Sequence, residues 1–193
     1  MVGLAGPTGS GKDSLLEVFK DLGFRVEDMD AWGHLALDAL KIELARIFGP
    51  DIISPDGKVN RRTLGDKVFA SPGALGQLEA LVHPWMKEKI QELLRDSHQE
   101  LWVLNAAILH KLGMEELCQR IIWVTAPTLQ RLFRVKIRGN LSFTAAVRRL
   151  WAQKNLSPKQ FSRKVDILIK NKNGELEKSR DLIRKNLRLW MKQ

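Results

Sequence analysis

Between the apolar run Val2-Gly3-Leu4-Ala5 and a helically spaced series, Leu15, Leu16, Val18, Phe19 and Leu22, lies the heptapeptide Gly6-Pro7-Thr8-Gly9-Ser10-Gly11-Lys12. Such a glycine-rich turn, entered from a strand and left into a helix, admits few architectures. Gly23 closes the helix, and Phe24-Arg25-Val26 reads as a second strand that ends in Glu27-Asp28-Met29-Asp30. Strand, turn, helix and strand make a βαβ unit, whose parent sheet is parallel.

The heptapeptide matches G-x-x-x-x-G-K, the Walker A phosphate loop. Glycines let the backbone wrap close enough to aim successive N–H groups at phosphate oxygens. The helix that follows adds its positive end, and Lys12 reaches the β- and γ-phosphates as a mobile point charge. The phosphates of a nucleotide are therefore expected on Thr8, Gly9, Ser10, Gly11, Lys12, Asp13 and Ser14. The position after the lysine breaks the pattern. Ser or Thr normally stands there and ligates Mg²⁺, but here it is Asp13. A carboxylate ligates Mg²⁺ directly, yet it also sets negative charge beside a polyphosphate. Ser14 carries a hydroxyl about 100° further round the helix and points elsewhere.

The rest of the chain extends the same architecture. Residues 31–100 are helical in pattern apart from turns at Gly49-Pro50 and Pro55-Asp56-Gly57. Leu101-Trp102-Val103-Leu104, Ile121-Ile122-Trp123-Val124-Thr125 and Ile167-Leu168-Ile169 are runs of buried parallel-strand type. Leu176, Leu182, Ile183, Leu187, Trp190 and Met191 share one face of a closing amphipathic helix. The expected fold is α/β, a P-loop NTPase-type three-layer α/β/α core with a parallel sheet, a helical insert and a helical lid. Residues 1–30, 101–130 and 165–193 form the core, 31–100 the insert and 131–164 a basic lid.

Composition narrows the partners. Hydrophobic residues make up 44% and charged residues 28%, which argues against a disordered chain. No apolar stretch approaches the roughly 18 residues of a membrane span, and no leader sequence is recognisable. One cysteine, Cys118, forbids an internal disulfide and fits a reducing cytoplasm as a small buried residue. Residues 1–130 hold 14 Lys/Arg against 18 Asp/Glu, whereas 131–193 hold 18 against 4. Such asymmetry suits a polyanionic ligand, though a solvated lysine-rich face explains it equally.

Asp28 and Asp30 follow the second strand, at the end of the sheet where open parallel sheets bind ligands. One could act as general base for an attacking hydroxyl while the other helps place Mg²⁺; a solvated acidic turn is the alternative. Arg134 and Arg138 lie i and i+4 on one helix face, suited to spreading transition-state phosphate charge or simply to facing solvent.

Taken with the insert, these features resemble the dephospho-coenzyme A kinases. The shared pattern comprises the phosphate loop, Leu22-Gly23, Val26-x-Asp28-x-Asp30, Phe48-Gly49, Asp56-Gly57-Lys58-Val59-Asn60-Arg61, Leu64-Gly65, Val68-Phe69 and Pro72. It continues through Leu78-Glu79, His83-Pro84, Arg134-x-x-x-Arg138, Arg149-x-x-x-Gln153 and Val165-Asp166-x-x-Ile169-x-Asn171-x-x-Gly174. The resemblance implies transfer of the ATP γ-phosphate to the ribose 3′-hydroxyl of dephospho-CoA, the last step of coenzyme A synthesis, with ATP and Mg²⁺. It implies Lys12, Asp30 and Arg138 as catalytic residues, with Asp30 as base or hydroxyl-orienting carboxylate. Arg134 and Asn171 would join the ATP site, Asp28, Arg61 and His83 would receive the acceptor, and Asp13 would hold Mg²⁺. Taken alone, His83-Pro84 reads as a helix start or turn, and Asn171 as a turn residue.

Three single positions and one segment depart from the family pattern: Asp13; Asn60, commonly Asp; Arg131, commonly Gln; and Ala107-Ile108-Leu109-His110-Lys111, where the family runs P-L-L-[FV]-E, so that the proline is lost and lysine replaces glutamate. Three rivals follow: a kinase for another nucleoside or nucleotide, a nucleotide-binding relative with lost or altered activity, and a basic nucleic-acid binder. The six tryptophans look like core residues rather than base-stacking platforms, so small-molecule substrates are expected and nucleic acid and membrane are not.

Overall fold

A computed structural model describes residues 1–95 and 100–192; residues 96–99 of the expected insert lie outside the described residues. Five strands, β1 (Val2–Ala5), β2 (Phe24–Asp28), β3 (Leu101–Ala106), β4 (Arg120–Thr125) and β5 (Ile167–Lys170), form one parallel sheet in the order β2-β3-β1-β4-β5. Helices cover both faces of this sheet. Two compact units divide the chain: Met1–Asp28 with Gln99–Gln193, and Met29–His98.

The larger unit holds the sheet, α1 (Leu16–Asp21), α6 (Thr128–Arg138), α7 (Phe143–Trp151) and α8 (Leu176–Trp190). Strand β1 is buried along its whole length because β3 and β4 flank it, with Val2 in register with Val103 and Arg120. Alternation along the strands divides the core. Leu4, Val103, Ile122 and Val124 pack with Leu15, Val18 and Phe19 on one side and with Ile183 and Leu187 of α8. Trp123 points the other way and meets Phe161 edge-on at 5.9 Å between ring centroids.

The smaller unit comprises α2 (Met29–Ala39), α3 (Lys41–Phe48), α4 (Arg61–Val68) and α5 (Pro72–Arg95). Its core is Leu44, Phe48, Ile52, Val59, Leu64 and Val68. The expected turns at 49–50 and 55–57 are present, and a bridge between Ile53 and Val59 closes the second.

Several sequence expectations need correction. The helix after the phosphate loop opens as a 3₁₀ turn, Asp13–Leu15, with Leu15 N–H donating to Lys12 O at 2.8 Å. Only six residues of α-helix follow, so the aligned peptide dipoles behind the loop are few. His83-Pro84 is neither a start nor a turn but sits inside the 24-residue α5. Pro84 deprives the Ala80 carbonyl of its helical donor, and burial of Val82, Met86 and Ile90 at i, i+4 and i+8 holds the helix together across that gap. Strand β5 is an edge strand, so only Ile169 of its apolar run is buried. On α8 Ile183 and Leu187 are buried and Leu176 and Trp190 pack against the core half-buried, but Leu182 and Met191 are exposed. Trp102 and Trp123 are core residues, but Trp151 is 66% exposed with Lys154 Nζ 4.2 Å from its ring centroid.

Cys118 is buried, and desolvation pushes its thiol up to about 12. A thiol reagent at pH 8 is expected to leave native protein unmodified and to label it stoichiometrically in denaturant. Phe19 meets Phe24 edge-on at 5.5 Å within the core. Phe19→Ala should lower the unfolding free energy by about 3–5 kcal/mol in a urea titration, with the slope unchanged.

Candidate active site

The phosphate loop joins β1 to the 3₁₀ turn and depends on three glycines at positive φ, Gly6 (147°), Gly9 (76°) and Gly11 (86°). Each also lacks room for a side chain. A Cβ on Gly6 would stand 2.0 Å from the Val124 carbonyl oxygen, and one on Gly11 2.3 Å from Asn171 Nδ2. Lys12 Nζ donates to Gly6 O at 2.8 Å, so the lysine folds back over its own loop. Ser10 is fully buried, and its hydroxyl oxygen has no hydrogen-bond partner. Ser14 is exposed at the turn, and its carbonyl accepts from Arg180 of α8.

Side chains from two segments hold the outside of the loop. Arg134 donates to Gly9 O and Ser10 O, both at 3.3 Å, and to Asn171 O at 3.1 Å and Asn173 Oδ1 at 2.6 Å. Asn171 Nδ2 donates to Ser10 O at 3.0 Å, while its own N–H donates to Thr125 O at 2.7 Å. Arg131 Nε donates to Thr8 O at 3.0 Å. Burial pulls both guanidinium pKa values down from the usual arginine value, but arginine keeps its charge in proteins. Gln153 Oε1 accepts from Thr8 N–H at 2.7 Å, so a protein oxygen engages a loop amide. Arg131 was only a departure from pattern in the sequence, yet it braces the loop; the signal was its place one turn before Arg134.

The side face of the loop carries charge. Asp13 accepts from Arg138 Nη1 through Oδ2, and Asn105 Nδ2 lies 3.5 Å from Asp13 Oδ1. Asn105 ends the apolar run of β3, paired in register with Leu4 of β1 and Asp28 of β2. It escaped the sequence reading, although four apolar residues followed by one polar residue at a strand's end was the available sign.

In the larger unit, then, Thr8 to Ser14, Arg134, Arg138 and Asn171 converge on one loop, and Asp28 ends the second strand from it. In the smaller unit Asp30 is the second residue of α2, Arg61 the first of α4, and His83 is half-buried within α5. The smaller unit also has an open groove of about 430 Å³ lined by Lys41, Ile42, Ala45, Arg46, Ile53 and Gly57, which includes neither Arg61 nor His83.

Two departures from the family pattern have local explanations. Asn60 caps α4 by accepting from Arg62 N–H and Thr63 N–H, both at 3.2 Å, a task Asn and Asp perform equally. His110 lies against Phe161 with centroids 5.2 Å apart and both ring nitrogens buried without partners. Desolvation lowers its pKa, so the imidazole is neutral and fills an apolar position.

The dephospho-CoA kinase family model matches residues 1–177. The chain belongs to the dephospho-CoA kinase family. A relative from Symbiobacterium thermophilum is 33% identical over 188 residues, covering 93% of this chain and 77% of the relative. A crystal structure from Thermus thermophilus superposes with TM-score 0.81 at 29% identity, covering 97% of this chain and 96% of that one. A dephospho-CoA kinase from Campylobacter jejuni gives 0.71 at 26% identity, covering 96% of each chain. The family is a phosphotransferase family acting on the hydroxyl of dephospho-CoA, with ATP as phosphate donor, in the last step of coenzyme A biosynthesis.

Because Arg134 ties two loop carbonyls to the 171–173 segment, Arg134→Ala should raise the KM for ATP by about tenfold, equivalent to about 1.4 kcal/mol. Steady-state kinetics together with a urea titration would check this, the latter showing how much of the effect is loss of stability.

Proposed function

We propose that this chain moves the γ-phosphoryl group of ATP to the ribose 3′-hydroxyl of dephospho-CoA, with Lys12, Asp30 and Arg138 acting at the reacting atoms. The observation that carries this reading is the phosphate loop itself, folded under Lys12 and flanked by Arg138 at its charged edge. Thr8, Gly9, Ser10, Gly11, Asp13 and Ser14 would surround the ATP phosphates, the Thr8 amide joining once Gln153 Oε1 leaves it. Asn171, held against Ser10 O, would line the nucleotide side, with Arg134 keeping loop and segment together.

In the transfer, the 3′-hydroxyl oxygen forms the new bond to the γ-phosphorus and the bond to the β–γ bridging oxygen breaks, releasing ADP. Asp30 accepts the hydroxyl proton. Lys12 and Arg138 meet the charge that builds on the γ-oxygens and the leaving group. Asp28, Arg61 and His83 would orient the acceptor. Arg138 contributes to the transfer when its guanidinium leaves Asp13 for phosphate, and segment 131–164 would act as the lid that keeps water from the γ-phosphate.

The residues fit Mg²⁺. Hard oxygen donors suit it, and it binds kinase sites through one or two carboxylates plus substrate phosphates, so Asp13 is sufficient as a protein anchor. Bound there, Mg²⁺ would neutralise phosphate charge. Among the described residues no helix is long and apolar enough to cross a membrane. The lone buried thiol suits the reducing cytoplasm, where we place the enzyme.

Purified protein with Mg·ATP and dephospho-CoA should release ADP in a coupled assay. Lys12→Ala should lower kcat/KM by about 10³-fold, and Asp30→Asn should lower kcat by about 10²–10⁴-fold while ATP affinity persists. ATP binding without ADP release would instead identify a nucleotide-binding relative that has lost turnover. Near-normal kcat in Asp30→Asn would remove Asp30 as base.

A further inference from the structure

Strand β3 runs Leu101-Trp102-Val103-Leu104-Asn105 beside β1, and Asn105 is the only polar residue of that run. In P-loop proteins the metal is commonly held by a Ser or Thr hydroxyl just after the loop lysine and by an Asp at the end of a neighbouring strand. Here those two positions carry Asp13 and Asn105. The carboxylate and the neutral oxygen-bearing side chain have exchanged places.

The two side chains meet, with Asn105 Nδ2 3.5 Å from Asp13 Oδ1. Asn105 is only 6% exposed, and its Oδ1 is buried with no hydrogen-bond partner. A buried amide oxygen without a partner calls for an explanation, and a bound cation or water is one. Its environment also explains why the residue is an amide. Asp28 is paired in register with it on β2, so a carboxylate at 105 would add a third negative group between Asp13 and Asp28. Arg138 supplies the counter-charge to Asp13 on its other oxygen.

Resting on the kinase reading above, we infer that Asp13 and Asn105 form the divalent-cation site, a position-exchanged version of the usual hydroxyl and carboxylate pair. Asp13 supplies the charge, and Asn105, with its side-chain amide turned over so that Oδ1 takes the place Nδ2 holds beside Asp13, supplies a neutral oxygen to the cation or to a water bound on it. Arg138 neutralises Asp13 until a cation takes over that task, which frees the guanidinium for phosphate. Asp13 therefore replaces the missing hydroxyl and does not mark a dead loop.

The test reads metal binding without turnover. Mn²⁺ binding to the protein·ADP complex is followed by electron paramagnetic resonance for wild type, Asp13→Ser, Asp13→Ser/Asn105→Asp and Arg138→Gln. Asp13→Ser should weaken Mn²⁺ by about tenfold or more, and the double variant, which restores the usual order, should recover to within about threefold of wild type. Arg138→Gln should leave Mn²⁺ affinity within about twofold. Unchanged affinity in Asp13→Ser, a double variant no better than the single, or an Arg138→Gln loss equal to that of Asp13→Ser would each overturn the dyad. In the last case Asp13 would act only through the arginine. Normal Mn²⁺·ADP binding with no phosphoryl transfer to dephospho-CoA would instead sink the kinase reading and leave the dyad standing.

Discussion

A single close approach organises the larger unit: the β1 backbone turns at Gly6 directly beneath the Val124 carbonyl of β4, where a Cβ would stand 2.0 Å from that oxygen. Because strand and loop are in contact there, the geometry of the phosphate loop is inherited from the sheet. Central placement of β1 between β3 and β4 makes that sheet rigid at the required point. Arg131, Arg134 and Asn171 then fasten the loop from outside through its carbonyls rather than its amides, apart from the Thr8 amide that Gln153 holds.

Much of this was legible in the sequence, for physical reasons. Glycines at fixed spacing mean positive φ and close approach, so the loop and its flanking strand could be read directly. Continuous apolar runs identified β3 and β4 because both faces of an inner strand are covered. The same rule misread β5, since an apolar run does not reveal that a strand lies at the edge with one side open. His83-Pro84 misled for a comparable reason: proline discourages a helix locally, but burial of the neighbouring Val82, Met86 and Ile90 outweighs one missing hydrogen bond.

The candidate site was legible to different degrees. Arg134 was recognised by residue type as a phosphate ligand, and the structure shows a guanidinium occupied with backbone and amide oxygens. Charge alone does not distinguish a residue that touches a ligand from one that holds the ligand's support. Asn105 was invisible because an amide carries no charge to attract notice, and its meaning depends on standing beside Asp13 across 92 residues of sequence. Asn60 and His110, by contrast, look like disruptions of a motif and turn out to be a helix cap and a ring packed on Phe161. Departures from a family pattern therefore carry information only when their contacts are known.

Gln153 reaches Thr8 of the loop from just beyond the end of α7, and the exposed Trp151 closes that helix two residues earlier. While the bond from Gln153 lasts, the Thr8 amide is satisfied by a protein oxygen, so an anion that claims this amide must first displace the Gln153 side chain. The glutamine thus stands in the cradle as a placeholder for ligand oxygen.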